Sequence, residues 1–138
     1  MTADHPVNAV RPKLVVQGAA EALAFWARTL GATEVVRYTG GESVVFAEIE
    51  VLGTRITLKD ADDHDPVADP GPLLDCLVED PAALARAVVD AGGSWVFEVH
   101  ERPWGGLWGR VRDPFGVQWL LQQPDDASPE QIQALLDG

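Results

Sequence analysis

Ala22-Leu23-Ala24, with Gly31 and Val35 downstream, returns 61 positions later as Ala83-Leu84-Ala85, Gly92 and Val96. A repeat this long in a chain of 138 residues leaves room for two copies of one supersecondary unit, not for a solenoid of many. Each copy follows one strand-like stretch and precedes several others. The chain therefore reads as two equivalent halves, each built around one helix, and the cleft between such halves is where function is expected.

Working outward from the first copy, residues 10–16 are rich in β-type apolar side chains with Pro12 near the start, which suits an edge strand. Gly18 breaks that stretch. Residues 19–30 place Ala22, Leu23, Phe25, Trp26, Ala27 and Leu30 at helical spacing, and Gly31 is the stop. Residues 33–38 read as a strand and Gly40-Gly41 as a hairpin turn. Residues 44–51 alternate, with Val45, Ala47, Ile49 and Val51 on one face and Phe46, Glu48 and Glu50 on the other. Leu52-Gly53 turns the chain into a strand over 55–59. The first half is βαβββ.

The second half repeats the order. A strand over 73–79 leads to Asp80, a good helix N-cap, with Pro81 at the first helical position. The helix covers 82–91 and ends at Gly92-Gly93. Strands follow over 95–100 and 107–112, joined by a loop at 102–106. Asp113-Pro114-Phe115-Gly116 has turn chemistry before a last strand over 117–122. Ser128-Pro129-Glu130 starts a short amphipathic helix carrying Ile132, Leu135 and Leu136. Its apolar side needs cover from this chain or a partner. The connector over 61–71 is polar, rich in Pro and Asp, and expected to be mobile.

Composition bounds the function. With 46% apolar and 23% charged residues, the chain has the profile of a soluble globular protein large enough for a proper core. No apolar run approaches the roughly 18 residues that span a membrane. The start of the sequence lacks the basic-then-apolar pattern of a secretory signal. A single cysteine, Cys76, cannot form an internal disulfide and reads as a small buried hydrophobe on a strand, so a cytoplasmic location is expected. The net charge of -12 argues against nucleic acid, whose phosphates need clustered Lys and Arg. Asp60, Asp62, Asp63, Asp65 and Asp69 crowd one loop. They serve solubility or an attraction for cationic small molecules.

The doubled βαβββ, Ala22-Leu23-Ala24-Phe25-Trp26 through Leu30-Gly31-Ala32, and Trp104-Gly105 through Trp108-Gly109-Arg110-Val111-Arg112-Asp113-Pro114-Phe115-Gly116 resemble the vicinal oxygen chelate superfamily over about residues 9–123. That group holds glyoxalase I, extradiol dioxygenases, fosfomycin-resistance enzymes and bleomycin-resistance proteins. The resemblance implies two curved four-stranded sheets, each cupping a cleft, usually in a homodimer. It also implies a divalent metal in the enzymes, with one ligand from the first and one from the last strand of each module. Counted from the helix and turn landmarks, these positions are Arg11, Thr57, Leu74 and Leu120, the first and third to within one or two residues.

Divalent metals need imidazole, carboxylate or thiolate donors. A guanidinium repels the ion, and a leucine has no donor. The sequence therefore departs from the family where its chemistry sits, which favours the metal-free branch that binds and sequesters antibiotics. His5, His64, His100, Cys76, Glu48, Glu50, Glu98 and Glu101 are the other possible ligands, and their spacing matches no metal motif. No Ser/His/Asp or Cys/His set and no phosphate loop is visible.

Five tryptophans need homes. Trp26 lies on the core stripe of the first helix, and Trp119 points at a helix if Leu120 faces the cleft. Trp95 opens a strand and suits either side. Trp104 and Trp108 flank Gly105-Gly106-Leu107 over the second module's mouth, as a stacking platform for a planar ligand or as a cap on the core or dimer. Phe46 and Glu48 line the first module if their face is the concave one. Arg11 and Arg110, facing the cleft, would suit a carboxylate, enol or quinone oxygen, whereas the Trp rings and carboxylates suit an aromatic cation.

The expectation is an α+β protein in one domain over 1–138, with modules at 9–60 and 72–123 and a C-terminal helix at 128–137, pairing as a homodimer. It is expected to bind a planar, aromatic, antibiotic-like small molecule with no cofactor, metal, nucleic acid or membrane. The binding residues are Trp104, Trp108, Phe46, Glu48, Arg11, Arg110, Thr57 and Leu120. The alternatives are a metal-dependent lyase, isomerase or dioxygenase with an unconventional site, and an accessory module that only dimerises.

Overall fold

The computed structural model describes residues 8–138. They form two compact units that meet in sequence at Pro72 and Leu73. Both have the βαβββ order read from the repeat. His5, one of the candidate ligands, lies outside the described residues.

The first unit comprises β1 (Lys13–Val16), α1 (Ala19–Leu30), β2 (Thr33–Gly40), β3 (Ser43–Val51) and β4 (Thr54–Asp60). The sheet order is β1-β4-β3-β2, with β1 at the edge, parallel to β4, and the other pairs antiparallel. Ala22, Leu23, Phe25, Trp26 and Leu30 of α1 are buried, as are Leu14, Val16, Ala47, Ile49, Val51, Ile56 and Leu58 of the sheet. This is the helix-covered core, where each large side chain contributes about 1.5–3 kcal/mol on burial. Two expected core positions differ. Ala27 is exposed and Thr29 is buried instead, its hydroxyl donating to Phe25 O at 2.7 Å. Val45 is 56% exposed while Val44 is 2% exposed, because the β2–β3 register shifts between Tyr38 and Thr39. That irregularity breaks the strict alternation that would have turned Val45 inward.

Gly18 cannot cap α1 with a side chain, and Asp60 does so from the end of β4. Its Oδ1 accepts from Gly18 N at 3.1 Å and Ala19 N at 2.8 Å, and its Oδ2 accepts from Val44 N at 2.8 Å. Asp60 thus ties α1, β3 and β4 together and is not one of a solvated acidic run. The connector has bonds of its own. Asp62 accepts from His64 N and Asp65 N, and Lys59 Nζ donates to Asp62 at 2.6 Å and Asp65 at 2.7 Å.

The second unit comprises β5 (Leu73–Leu77), α2 (Pro81–Asp90), β6 (Ser94–Glu101), β7 (Leu107–Arg112), β8 (Gln118–Gln122) and α3 (Pro129–Asp137). Its sheet repeats the topology as β5-β8-β7-β6. Asp80 caps α2 by accepting from Ala83 N, with Pro81 at the first turn. Ala85 and Val88 of α2 are buried, together with Val111, Trp119 and Leu121 of the sheet. Trp119 is core, as the alternation with Leu120 requires, and its indole N–H donates to Asp113 Oδ2 at 2.9 Å. Asp113 also accepts from Phe115 N and Val117 N, so the Asp113–Gly116 turn is pinned to the core. Cys76 is half-buried, not fully buried. α3 opens with a reciprocal capping box between Ser128 and Gln131. Its Leu135 and Leu136 are exposed.

Candidate functional site

Cross-strand partners share a sheet face, so register decides which side chains stand opposite the helices. In the first unit, Lys13 pairs with Thr57 and Thr57 with Glu48, while Tyr38 pairs with Phe46. These residues lie on the face away from α1. Glu48 is only 3% exposed. Arg11 NH1 donates to its Oε2 at 3.0 Å, and Arg55 NH1 stands 3.9 Å away. Lys13 Nζ lies 4.9 Å from the Phe46 ring centre, and Tyr38 stacks on Phe46 at 6.1 Å. Arg11, Phe46, Glu48 and Thr57 therefore gather on one face. Glu48 is thus held on this face by Arg11, with Arg55 at ion-pair distance.

In the second unit, Arg110 pairs with Leu120 on one side and Phe97 on the other, and Trp108 pairs with His100. Four rings cluster here. Phe97–Trp108 and Trp104–Trp108 centres are 5.7 and 5.6 Å apart, Phe97–His100 5.6 Å and His100–Trp108 6.2 Å, all edge to face. Trp104 Nε1 donates to Asp125 at 2.9 Å. Arg110 Nε and NH2 both donate to Gln118 Oε1, at 3.0 and 2.6 Å. Trp104, Trp108, Arg110 and Leu120 thus belong to one aromatic face. Trp95 does not. It pairs with Val111 on the helix side, under the Arg86 guanidinium at 5.7 Å, in a pocket of about 450 Å³ lined with Ala82, Glu98 and Val99.

Two residues that organise this face escaped the sequence. His100 bridges Trp108 and the backbone. Arg102 is 2% exposed and lies beneath the loop. It donates to Gly105 O at 2.9 Å, Gln122 Oε1 at 2.9 Å, Gln123 O at 2.8 Å and Pro124 O at 3.3 Å, and pairs with Asp125 at 3.2 Å. Its guanidinium also lies 5.5 Å from the Trp104 ring centre. Gly106, at φ +79°, presses so closely on Arg102 that a Cβ there would overlap the guanidinium. Gly105-Gly106, in the 102–106 loop, is a cradle for a buried cation.

Register moves two of the positions counted for a metal, the first and the third, by two residues and one, within the margin given for them. Leu74 pairs with Trp119 and so shares the helix-covered side, and it is Asp75 that pairs with Leu120. In the first unit the partner of Thr57 is Lys13. Lysine, threonine and leucine with one aspartate are not a divalent-ion donor set. Asp75 moreover accepts from Gln122 Nε2 at 2.7 Å. Among the described residues no three His, Cys, Asp or Glu side chains come together. The residues present do not fit the ion that the resemblance implies.

Residues 3–121 match the sequence profile of the Glyoxalase/Bleomycin resistance protein/Dioxygenase superfamily. The chain belongs to this superfamily. The uncharacterized protein Rv0887c of Mycobacterium tuberculosis (strain H37Rv) is 29% identical over 141 residues, covering 94% of this chain and 83% of that protein. The uncharacterized protein Mb0911c of Mycobacterium bovis is equally similar, covered to 93%. Among solved structures, TioX from Micromonospora sp. ML1 superposes with a TM-score of 0.68 at 18% identity, over 83% of this chain and 98% of that one. A glyoxalase-related enzyme from Fulvimarina pelagi gives 0.67 at 20% identity, over 86% and 89%. At these identities the structural likeness establishes the glyoxalase/bleomycin resistance fold. Among the described residues no helix is long and apolar enough to cross a membrane.

Proposed function

We propose that this superfamily member binds a planar, aromatic, antibiotic-like small molecule reversibly and without a metal ion, and so sequesters it. The observation that carries the reading is the ring cluster of Phe97, His100, Trp104 and Trp108 on the face away from α2. Stacking of a flat ligand on such rings is worth about 1–3 kcal/mol per ring, on the scale measured for nucleic-acid bases. The polar anchors Asp125, Arg102 and His100 hold the indoles in place beforehand, which lowers the ordering cost of binding. The donor chemistry at Lys13, Thr57, Asp75 and Leu120 supports metal independence. The proposal includes residues 1–138 acting as one domain, in the cytoplasm, as a homodimer.

The test is tryptophan quenching and calorimetry on EDTA-treated protein with bleomycin-type, mitomycin-type and other planar compounds. Saturable quenching that is lost in Trp104→Ala and Trp108→Ala supports the reading. One tightly bound equivalent of nickel, zinc, manganese or iron, with turnover of a hemithioacetal or a catechol, would overturn it. Light scattering over a concentration series checks the dimer.

A further inference from the structure

The charge of the ligand is written into the aromatic face of the second unit, and resting on the planar-ligand reading above, we infer that the ligand is an anion whose acidic group docks on Arg110. Arg110 stands in the middle of that face. Phe97 and Leu120 are its cross-strand neighbours, and Trp108 lies two residues along β7 on the same side. Its only hydrogen-bond acceptor among the described residues is the neutral amide oxygen of Gln118, which takes two of its donors at 3.0 and 2.6 Å. No carboxylate pairs with it among the described residues, and its NH1 group is left for a partner. Gln118 is 5% exposed, so the amide holds the guanidinium in one orientation without neutralising it. A half-buried, oriented, unneutralised guanidinium beside aromatic rings suits a carboxylate, phenolate or enolate attached to a flat ring system.

The rest of the face argues against a cation. A cation over Trp108 and Phe97 would sit next to Arg110 and Arg112, the latter exposed and in register with Gln118, and the carboxylate beside Trp104, Asp125, is already paired with Arg102. Asp75, the acid in register with Leu120, keeps its charge beside the Gln122 amide but stands two strands from Arg110, about 10 Å at the usual strand spacing. Trp104 already carries a cation, the buried guanidinium of Arg102. The net charge of -12 favours cations at long range, but charges beyond the Debye length of about 8 Å at physiological ionic strength are largely screened. Contact chemistry decides.

The test uses three probes on one ring system, 2-naphthoate, 2-naphthamide and (2-naphthyl)methylammonium, titrated by calorimetry and tryptophan quenching against the full chain. Naphthoate is expected to bind about tenfold more tightly than the amide, the gain of one charge-assisted hydrogen bond, with the ammonium weakest. Arg110→Gln should bring the naphthoate-to-naphthamide ratio to about one, and Arg110→Lys should retain part of the preference. Circular dichroism confirms that both variants fold, and the lysine variant carries the test if the glutamine one does not. An ammonium probe that binds as tightly as naphthoate, or a ratio indifferent to both substitutions, would overturn the anion inference while leaving the planar-ligand reading standing. Silence from all three probes overturns both.

Discussion

Trp108 donates its indole N–H to Nε2 of His100, 3.2 Å away, across the β6–β7 pair. An indole nitrogen is a donor only, so Nε2 must present its lone pair. The ring proton then sits on Nδ1 and donates to Glu98 O, at 2.9 Å. A strand carbonyl thus sets the tautomer of a histidine, which in turn sets the angle of the tryptophan that meets Phe97 and Trp104.

His100→Ala should therefore loosen Trp108 without unfolding the sheet. Loss of one exposed hydrogen bond costs about 0.5–1.5 kcal/mol in stability. The Trp108 indole N–H cross-peak in a nitrogen–proton correlation spectrum should move, and planar probes should bind about three- to tenfold more weakly, at the scale of one lost ordering contact. An unmoved cross-peak would show that the other rings alone hold Trp108.

Arg102→Met should be more damaging. It strips the carbonyls of Gly105, Gln123 and Pro124 of a buried donor and leaves Asp125 without its cation. Asp125 is half exposed and stays solvated, so the cost is that of carbonyls left unpaired beneath the loop, about 1–3 kcal/mol. Urea denaturation should report that loss, and chymotrypsin should cut after Trp104 in the 102–106 loop faster than in wild type.

Asp60→Ala removes the acceptor for Gly18 N, Ala19 N and Val44 N. The effect is the loss of a helix cap plus one strand anchor, about 2–4 kcal/mol. Asp60→Asn retains one oxygen acceptor and should recover part of it. Amide exchange is the discriminating readout, with protection falling first at the start of α1.

The Lys59–Asp62–Asp65 cluster predicts a pH dependence. The hydrogen bond from Lys59, then that from Asp65 N, holds Asp62 down from 3.8 to about 2. Its side-chain hydrogen bonds to the Asp62 and Asp65 carboxylates raise Lys59 above 10.5. Because the folded state binds the Asp62 proton less readily, the contribution is present above about pH 4 and is lost as the pH falls through 2. For Lys59 the contribution is complete below 10.5 and is lost at higher pH. The Tm gap between wild type and Asp62→Asn should accordingly be constant through neutral pH and close toward pH 2. Both groups are exposed, so the gap is small and shrinks with added salt.

Much of the fold was legible locally. Helix spacing, Gly31 as a stop, Asp80-Pro81 and Ser128-Pro129 as starts, and the 61-residue repeat are all short-range or self-similar signals. They located each helix and strand to within a few residues. Trp119 was placed correctly because strand alternation needs only its neighbour Leu120.

What the sequence by itself determined, then, is the doubled βαβββ frame with its helix starts and stops. Tertiary structure alone decided which side chains meet. The β2–β3 register shift turned Val45 outward, and one residue of slip exchanged Leu74 for Asp75 beside Leu120. Asp60 became a helix cap 41 residues from the amide it binds, and Arg102 became a hub for carbonyls 21 and 22 residues ahead. The physical reason is that side-chain facing has a period of two along a strand. Register therefore settles every contact across a sheet, and long-range pairing, not local propensity, sets the register.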